Sequence, residues 1–164
     1  MSSIQESEAR HVYNRARDAY ETAKEVLRCT VGNHSILSRT EKKLKNAVDQ
    51  CQKRTDDSNS QLCVFIQTNK DAHQAYIKLV GDKGASQQSL SIVSNYSRIE
   101  PEHKRLASVF NENQEQLALV DEQYKLIHSC ILNINNILAQ AFNDVQRTEI
   151  ELSNAIVALS MFDL

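Results

Sequence analysis

The chain has 164 residues, a usual length for one domain, with 19 basic and 21 acidic residues. Its three glycines and one proline leave few places for turns, which argues against sheet folds, since those need more chain breakers. The near-neutral charge argues against a dedicated nucleic-acid binder, and no apolar run is long enough to span a membrane. The polar first ten residues predict no signal peptide, so we expect a cytoplasmic protein.

Capping residues predict two helices in the first half of the chain. Ser3 begins a capping box, and the first helix is predicted over residues 4–31, where Gly32 and Asn33 supply a stop signal. Ser38 begins a second capping box, which predicts a helix over residues 38–80. Apolar and small residues recur in both helices at spacings of four and three, so one face of each is expected to pack in a coiled coil. In the second helix the pattern has one extra residue near Cys51 and is weak over residues 52–61, which are polar.

Two arrangements of these helices are compatible with the sequence. In the first, the chain folds back at Gly32 and three helices form a bundle. In the second, the two helices run on as one kinked rod, because Leu27, Thr30, His34 and Leu37 keep the four-three spacing across the glycine. The folded-back bundle is favoured, because a stop signal followed by a start signal usually marks a real break.

The second half of the chain predicts a short helix near residues 87–95 and then a long one. Pro101 suits the first turn of a helix, so the last helix is predicted over residues 101–162. Its apolar positions follow the four-three spacing for eight heptads, from Leu106 to Phe162, with Asn113 and Thr148 as the polar exceptions. A polar residue on such a seam usually sets register at a cost in stability, so Asn113→Leu is expected to raise the melting temperature.

These patterns together predict an all-α fold in a single domain over residues 1–164. The expected architecture is an elongated antiparallel helical bundle or coiled coil of three long helices. A kinked two-helix hairpin is the alternative.

The end of the last helix is predicted to bind a partner. If the helix over residues 38–80 lies antiparallel to it, residues 144–164 overhang, yet these turns are apolar on more than one side. A second copy or a partner helix should then cover the apolar residues, which are Ile150, Leu152, Ile156, Val157, Leu159, Met161, Phe162 and Leu164. In the continuous-rod alternative, the first helix itself pairs with these turns.

A basic patch on the second predicted helix is the strongest charged feature. It consists of Arg39, Lys42, Lys43, Lys45, Lys53 and Arg54. The pattern is typical of a solvated helix face, supported by a Glu41–Lys45 pair, and an acidic partner surface is the alternative.

Metal chemistry has one weak signal. Glu8 and His11, and again Glu100 and His103, have the Glu-x-x-His spacing that di-iron bundles use. Both motifs lie in the first turns of their predicted helices, so we interpret them as solvated helix ends. We predict no metal site, no cofactor and no catalytic residues.

The expected function is that of a non-enzymatic helical scaffold, adaptor or assembly subunit. It would bind partner proteins, or a second copy, through its coiled-coil faces and its apolar C-terminal helix. Two alternatives are a subunit or chaperone of a bacterial secretion machine, which rests on fold analogy alone, and a ferritin-like di-iron protein.

Overall fold

A computed structural model describes the backbone of residues 2–81 and 87–162, and the side chains of residues 3–80 and 91–162. Three helices account for almost all of these residues: α1 (Ser2–Thr68), α2 (Lys70–Gly81) and α3 (Gln87–Ser160). The described ranges contain no strand. The all-α fold with long packed helices is therefore confirmed.

Helix α1 continues through Gly32, so the predicted break at residues 32–37 is wrong and the continuous-rod alternative describes this helix. Gly32 has no left-handed backbone conformation, and a Cβ placed on it would meet nothing within 4 Å. The packing face is the physical reason. It continues in phase on both sides of the glycine, through Leu27, Thr30, His34 and Leu37, all of which are at least half-buried.

The other helix boundaries also differ from the predicted ones. Asn69 alone separates α1 from α2, and backbone bonds from Asn69 to Phe65 and from His73 to Asn69 keep the helical spacing across it. Helix α3 begins at Gln87, so the predicted short helix near 87–95 and the predicted last helix are one element. Pro101 lies inside α3 rather than at its start, where it removes the backbone donor that would otherwise bond to the carbonyl of Ser97. Residues 82–86, between the predicted helices over 38–80 and 87–95, lie outside the described residues.

The chain divides into two compact units. The first unit joins residues 1–42 with residues 125–164, and the second comprises residues 43–124. The single domain predicted from the sequence stays a prediction.

In the first unit, the N-terminal part of α1 packs against the C-terminal part of α3. The seam of α1 runs through Tyr13, Ala16, Tyr20, Ala23, Leu27, Thr30, His34 and Leu37, and every one of these is half-buried or buried. The facing seam of α3, Ile127 to Leu159 at four-three spacing, is shielded in the same way. The threonines on the seam satisfy their hydroxyls locally: Thr30 donates to the carbonyl of Val26 at 2.8 Å, and Thr148 to that of Asp144 at 2.7 Å.

In the second unit, the rest of α1 and helix α2 pack against the first part of α3. Asn113 lies on the seam, as predicted, and is half-buried. Its side-chain amide donates to the Ser58 hydroxyl at 3.1 Å and to the Arg54 carbonyl at 3.4 Å. Ser58 in turn donates to the carbonyl of Thr55 at 2.9 Å. The side chains of Asn113 and Ser58 are therefore both hydrogen-bonded.

The apolar core is thin. Among the described residues, the buried apolar side chains are Ala23, Leu106, Ile131, Ala141 and Ala155, and no large side chain is fully buried. Three of these five are alanines, which bury little surface each. Pairing two helices therefore leaves much of the apolar seam only half covered.

Candidate functional site

The C-terminal turns of α3 do not overhang, contrary to the sequence-based prediction. Val12, Ala16 and Ala19 of α1 line one cavity together with Ala155 and Ala158 of α3. Because α1 is not broken at Gly32, its first turns lie beside the last turns of α3. The premise of an uncovered helix end is therefore wrong.

The residues predicted at this end separate into two groups. Leu152 and Leu159 are half-buried on the seam towards α1. The exposed group comprises Ile150, Ile156, Val157, Met161 and Phe162, with exposures of 63%, 49%, 58%, 70% and 37%. Leu164 lies outside the described residues. The partner-binding role of all of them stays a prediction.

Three of the exposed residues form an outward stripe. Val157 follows Ile150 by seven residues, and Met161, in the turn after α3, follows Val157 by four. This spacing places them on one side of the helix, away from the seam residues Leu152 and Leu159. We call Ile150, Val157 and Met161 the apolar stripe.

A shallow groove with small side chains runs beside the stripe. One stretch of it has a volume of about 610 Å³ and is lined by Val12, Ala16, Ala19, Ala155 and Ala158, among others. The next stretch has a volume of about 440 Å³ and is lined by residues that include Ala19, Ala23, Ala141 and Thr148. We call these residues together the alanine groove. Asn154 lines it too, and Met161 lies seven residues further along the same side, so the stripe borders the groove.

The predicted basic patch lies entirely on α1, and all six of its side chains are exposed. Arg39 and Lys42 belong to the first unit, and the other four residues belong to the second. Glu41, which was expected to support Lys45, instead contacts α3, where its Oε1 lies 2.7 Å from Nδ1 of His128. An acidic partner surface for the patch stays the alternative interpretation.

The two Glu-x-x-His motifs fall in different units. Glu8 and His11 are exposed, whereas Glu100 and His103 are half-buried. Within the described ranges, no group of three or more His, Cys, Asp or Glu residues has the geometry to hold a metal ion. Glu100 lies 3.1 Å from the ammonium of Lys104, one turn along α3.

The second unit holds an aromatic cavity that the sequence did not reveal. Its volume is about 200 Å³, and its lining includes Phe65 of α1, His73 of α2, and Tyr96 and His103 of α3. The His103 ring stacks on Phe65 with centroids 6.3 Å apart, and it lies 6.5 Å from the His73 ring. His73 lies 5.9 Å from Tyr96. These rings come from three helices, so no spacing in the sequence could have grouped them.

A second tyrosine packs against the ring of Tyr96. Tyr76 of α2 stacks on it with the ring planes 3° apart and the centroids separated by 3.7 Å. One wall of the aromatic cavity is therefore fixed by packing.

The strongest electrostatic perturbation lies elsewhere on α1. Two hydrogen bonds from the Arg28 guanidinium, at 2.6 and 2.9 Å, lower the pKa of Glu25 to about 2, with a smaller contribution from the Cys29 thiol. This pair is fully exposed and one turn apart on a single helix. It is typical of surface support of a helix rather than of a reactive site.

Comparison with family models, with curated proteins and with solved structures finds no match to this chain. Over the described residues, none of the helices has an apolar stretch that could cross a membrane.

Proposed function

We propose that this chain is a non-enzymatic helical scaffold or assembly subunit that binds a further helix along the first unit. The observation that carries the proposal is the apolar stripe. Ile150, Val157 and Met161 are each more than half exposed, on the side of α3 that does not face α1. A helix with apolar residues on both its inner and its outer side normally has partners on both.

The alanine groove supplies the second half of the binding surface. Its alanines leave room for another helix to approach α1 and α3. Charged side chains line the groove as well, so that helix would also need polar groups to pair with them: Arg15, Asp18, Asp144, Arg147 and Glu151. A helix lying in the groove would bring its flank towards Met161, and Val157 lies one turn before Met161 on the same side of α3. The added helix would also cover the half-buried seam that the two-helix pairing leaves partly open.

The free energies involved indicate that stable binding needs both the apolar stripe and the alanine groove. Completing the burial of the three stripe residues would contribute roughly 3–5 kcal/mol in all, at about 1.5–3 kcal/mol for a whole large side chain. Association costs at least about 4 kcal/mol in lost translational and rotational freedom. The stripe alone therefore gives weak binding, and a stable complex requires the groove as well.

A second copy of the chain is the simplest partner. Two identical surfaces can cover each other around a two-fold axis, and the two helix pairs would then form a four-helix arrangement. A helix of another protein with an apolar face would use the same groove and stripe.

The test replaces Val157 and Met161 by lysine. Lysine keeps the end of α3 compatible with the helix dipole, so the isolated chain should retain its helicity and melting temperature. The matched control places lysine at Gln146 and Ser153, which are also exposed on α3. Sedimentation across a range of concentrations reports the mass.

The wild type and the control are expected to associate, and the Val157→Lys, Met161→Lys variant to sediment as a monomer. If the wild type is monomeric at every concentration and retains no helical partner from its native cells, the proposal is refuted. A stripe variant with unchanged mass would contradict the role of the stripe.

A further inference from the structure

The aromatic cavity of the second unit coincides with two irregularities of the helices that form it. Asn69, the residue between α1 and α2, lines the cavity. In α3, Pro101 lies between two other lining residues, Glu100 and His103. The helices beside the cavity therefore each have a local irregularity there: a one-residue junction at Asn69 and a missing backbone donor at Pro101.

The residues around the cavity also depart from the composition of the seam. Elsewhere the seam is built mainly from Leu, Ile, Val, Ala and Thr, with Tyr13, Tyr20 and His34 spaced along α1. At the cavity, Phe65, His73, Tyr96 and His103 bring four rings into contact. Beside these rings a volume of about 200 Å³ remains open.

The volume and the walls define the shape of an occupant. A dry cavity of about 150 Å³ in a protein core holds one benzene molecule. A space of about 200 Å³ therefore suits one aromatic ring or two fused rings. Ring walls favour planar aromatic occupants, because offset or edge-to-face contacts between rings add to the burial of area.

Polar groups at the cavity can orient such an occupant. Among the described residues, the two imidazoles make ring contacts with one another and with Phe65 and Tyr96, and no hydrogen bond to either imidazole is found. The Asn69 amide donates to the carbonyl of Phe65 at 2.8 Å, which leaves its oxygen able to accept. A ligand with an N–H or O–H on its ring edge could donate to that oxygen or to a neutral imidazole nitrogen.

From this combination we propose that the cavity bounded by Phe65, His73, Tyr96 and His103 is a binding site for a planar aromatic group. The group has one or two fused rings and an N–H or O–H on its edge, as indole and phenol have. It belongs either to a free small molecule or to a tryptophan or tyrosine side chain of a peptide.

Indole is the probe of choice, because the chain contains no tryptophan and indole emits at longer wavelength than the five tyrosines of the protein. Saturable binding of one indole per chain is expected, with a dissociation constant on the order of 0.1–1 mM, reasonable for so small a ligand. Indene has the same shape but no N–H, and it is expected to bind roughly 3–10-fold more weakly, the range of one hydrogen bond.

Variants connect the binding to the cavity. His103→Leu and Phe65→Leu each remove one ring while keeping an apolar side chain, so each should weaken indole binding roughly 3–10-fold. Ile99→Phe adds a ring from a lining position and should abolish binding by filling the space. His34→Leu is the matched control, because His34 is also half-buried on a helix seam but lies in the first unit. It should bind indole like the wild type.

N-acetyltryptophanamide separates the two sources of the ligand. Binding as tight as that of indole supports a peptide side chain, and binding more than about tenfold weaker supports a free molecule. Circular dichroism establishes that each variant is folded before its affinity is compared.

The proposal is overturned if the folded wild type shows no saturable indole binding. It is also overturned if His103→Leu, Phe65→Leu and Ile99→Phe all bind as tightly as His34→Leu. Equal affinities for indole and indene would refute the polar recognition. None of these outcomes depends on whether the first unit binds a partner helix.

Discussion

Replacing Gly32 by alanine should change the stability of the fold in opposite directions, depending on whether the helix is continuous or broken at this residue. In the structure, Gly32 is exposed near the middle of α1, and an added Cβ would meet nothing within 4 Å. Glycine in a helix interior is about 1 kcal/mol less favourable than alanine, since it loses more backbone freedom on folding. Gly32→Ala should therefore raise the free energy of unfolding by roughly 0.5–1 kcal/mol, or the melting temperature by about 1–4 °C in a chain of this size.

Two companion variants sharpen the comparison. Ser38→Ala should be close to neutral, because Ser38 lies in the helix interior, whereas loss of a true N-cap would cost about 1 kcal/mol. Ser35→Gly, at an exposed position one turn after Gly32, should cost roughly 0.5 kcal/mol in a continuous helix and little in a loop.

Thermal and urea unfolding followed by circular dichroism measures all three variants. A stabilised Gly32→Ala together with a neutral Ser38→Ala would agree with the structure. If Gly32→Ala is destabilised by 1 kcal/mol or more and Ser38→Ala loses a similar amount, the chain turns at this point. The continuous helix would then be refuted.

Two further predictions concern the seams. The hydrogen bonds of Asn113 to Ser58 and Arg54 reverse the expectation from the sequence, so Asn113→Leu should lower the free energy of unfolding by about 1 kcal/mol. A double-mutant cycle of Asn113→Ala with Ser58→Ala should show a coupling energy of roughly 0.5–1.5 kcal/mol. A stabilised Asn113→Leu, or a coupling near zero, would show that the hydrogen bond is absent. Ala155→Leu should lower the free energy of unfolding by about 1–3 kcal/mol, because it overpacks a position that is only 4% exposed. Ala158→Leu, at an exposed position lining the alanine groove, should leave that free energy nearly unchanged. Equal effects of the two variants in urea unfolding would show that α1 does not pack against these turns.

The sequence predicted the seams residue by residue. On α3, every position of the four-three pattern from Leu106 to Leu159 is half-buried or buried, whereas Phe162, the last predicted position, is 37% exposed. On α1 the predicted positions from Tyr13 to Phe65 are half-buried or buried too, with one extra residue near Cys51. This worked because heptad periodicity depends only on helix geometry, which repeats along the chain. The outward residues of the C-terminal turns, such as Ile150 and Val157, were likewise visible as apolar residues outside that pattern.

Helix boundaries were predicted less well, since local signals compete there with packing. Gly32 and Ser38 have the residue types of a stop and a cap, yet α1 passes through both. Pro101 has the residue type of a first turn and lies inside α3. In each case the long seam outweighs a local preference, of about 1 kcal/mol at Gly32 and Ser38 and about 3 kcal/mol at Pro101.

The sequence by itself determined the all-α class and the faces on which the helices pack, because both follow from periodicity and from the scarcity of glycine and proline. Only the tertiary structure decided which segments face each other. It placed the first turns of α1 beside the last turns of α3, gave Asn113 its hydrogen-bond partner Ser58, and gathered the rings of the aromatic cavity from three helices. The physical reason is that such contacts join residues far apart in the chain, and heptad spacing says which face of a helix is covered but not what covers it.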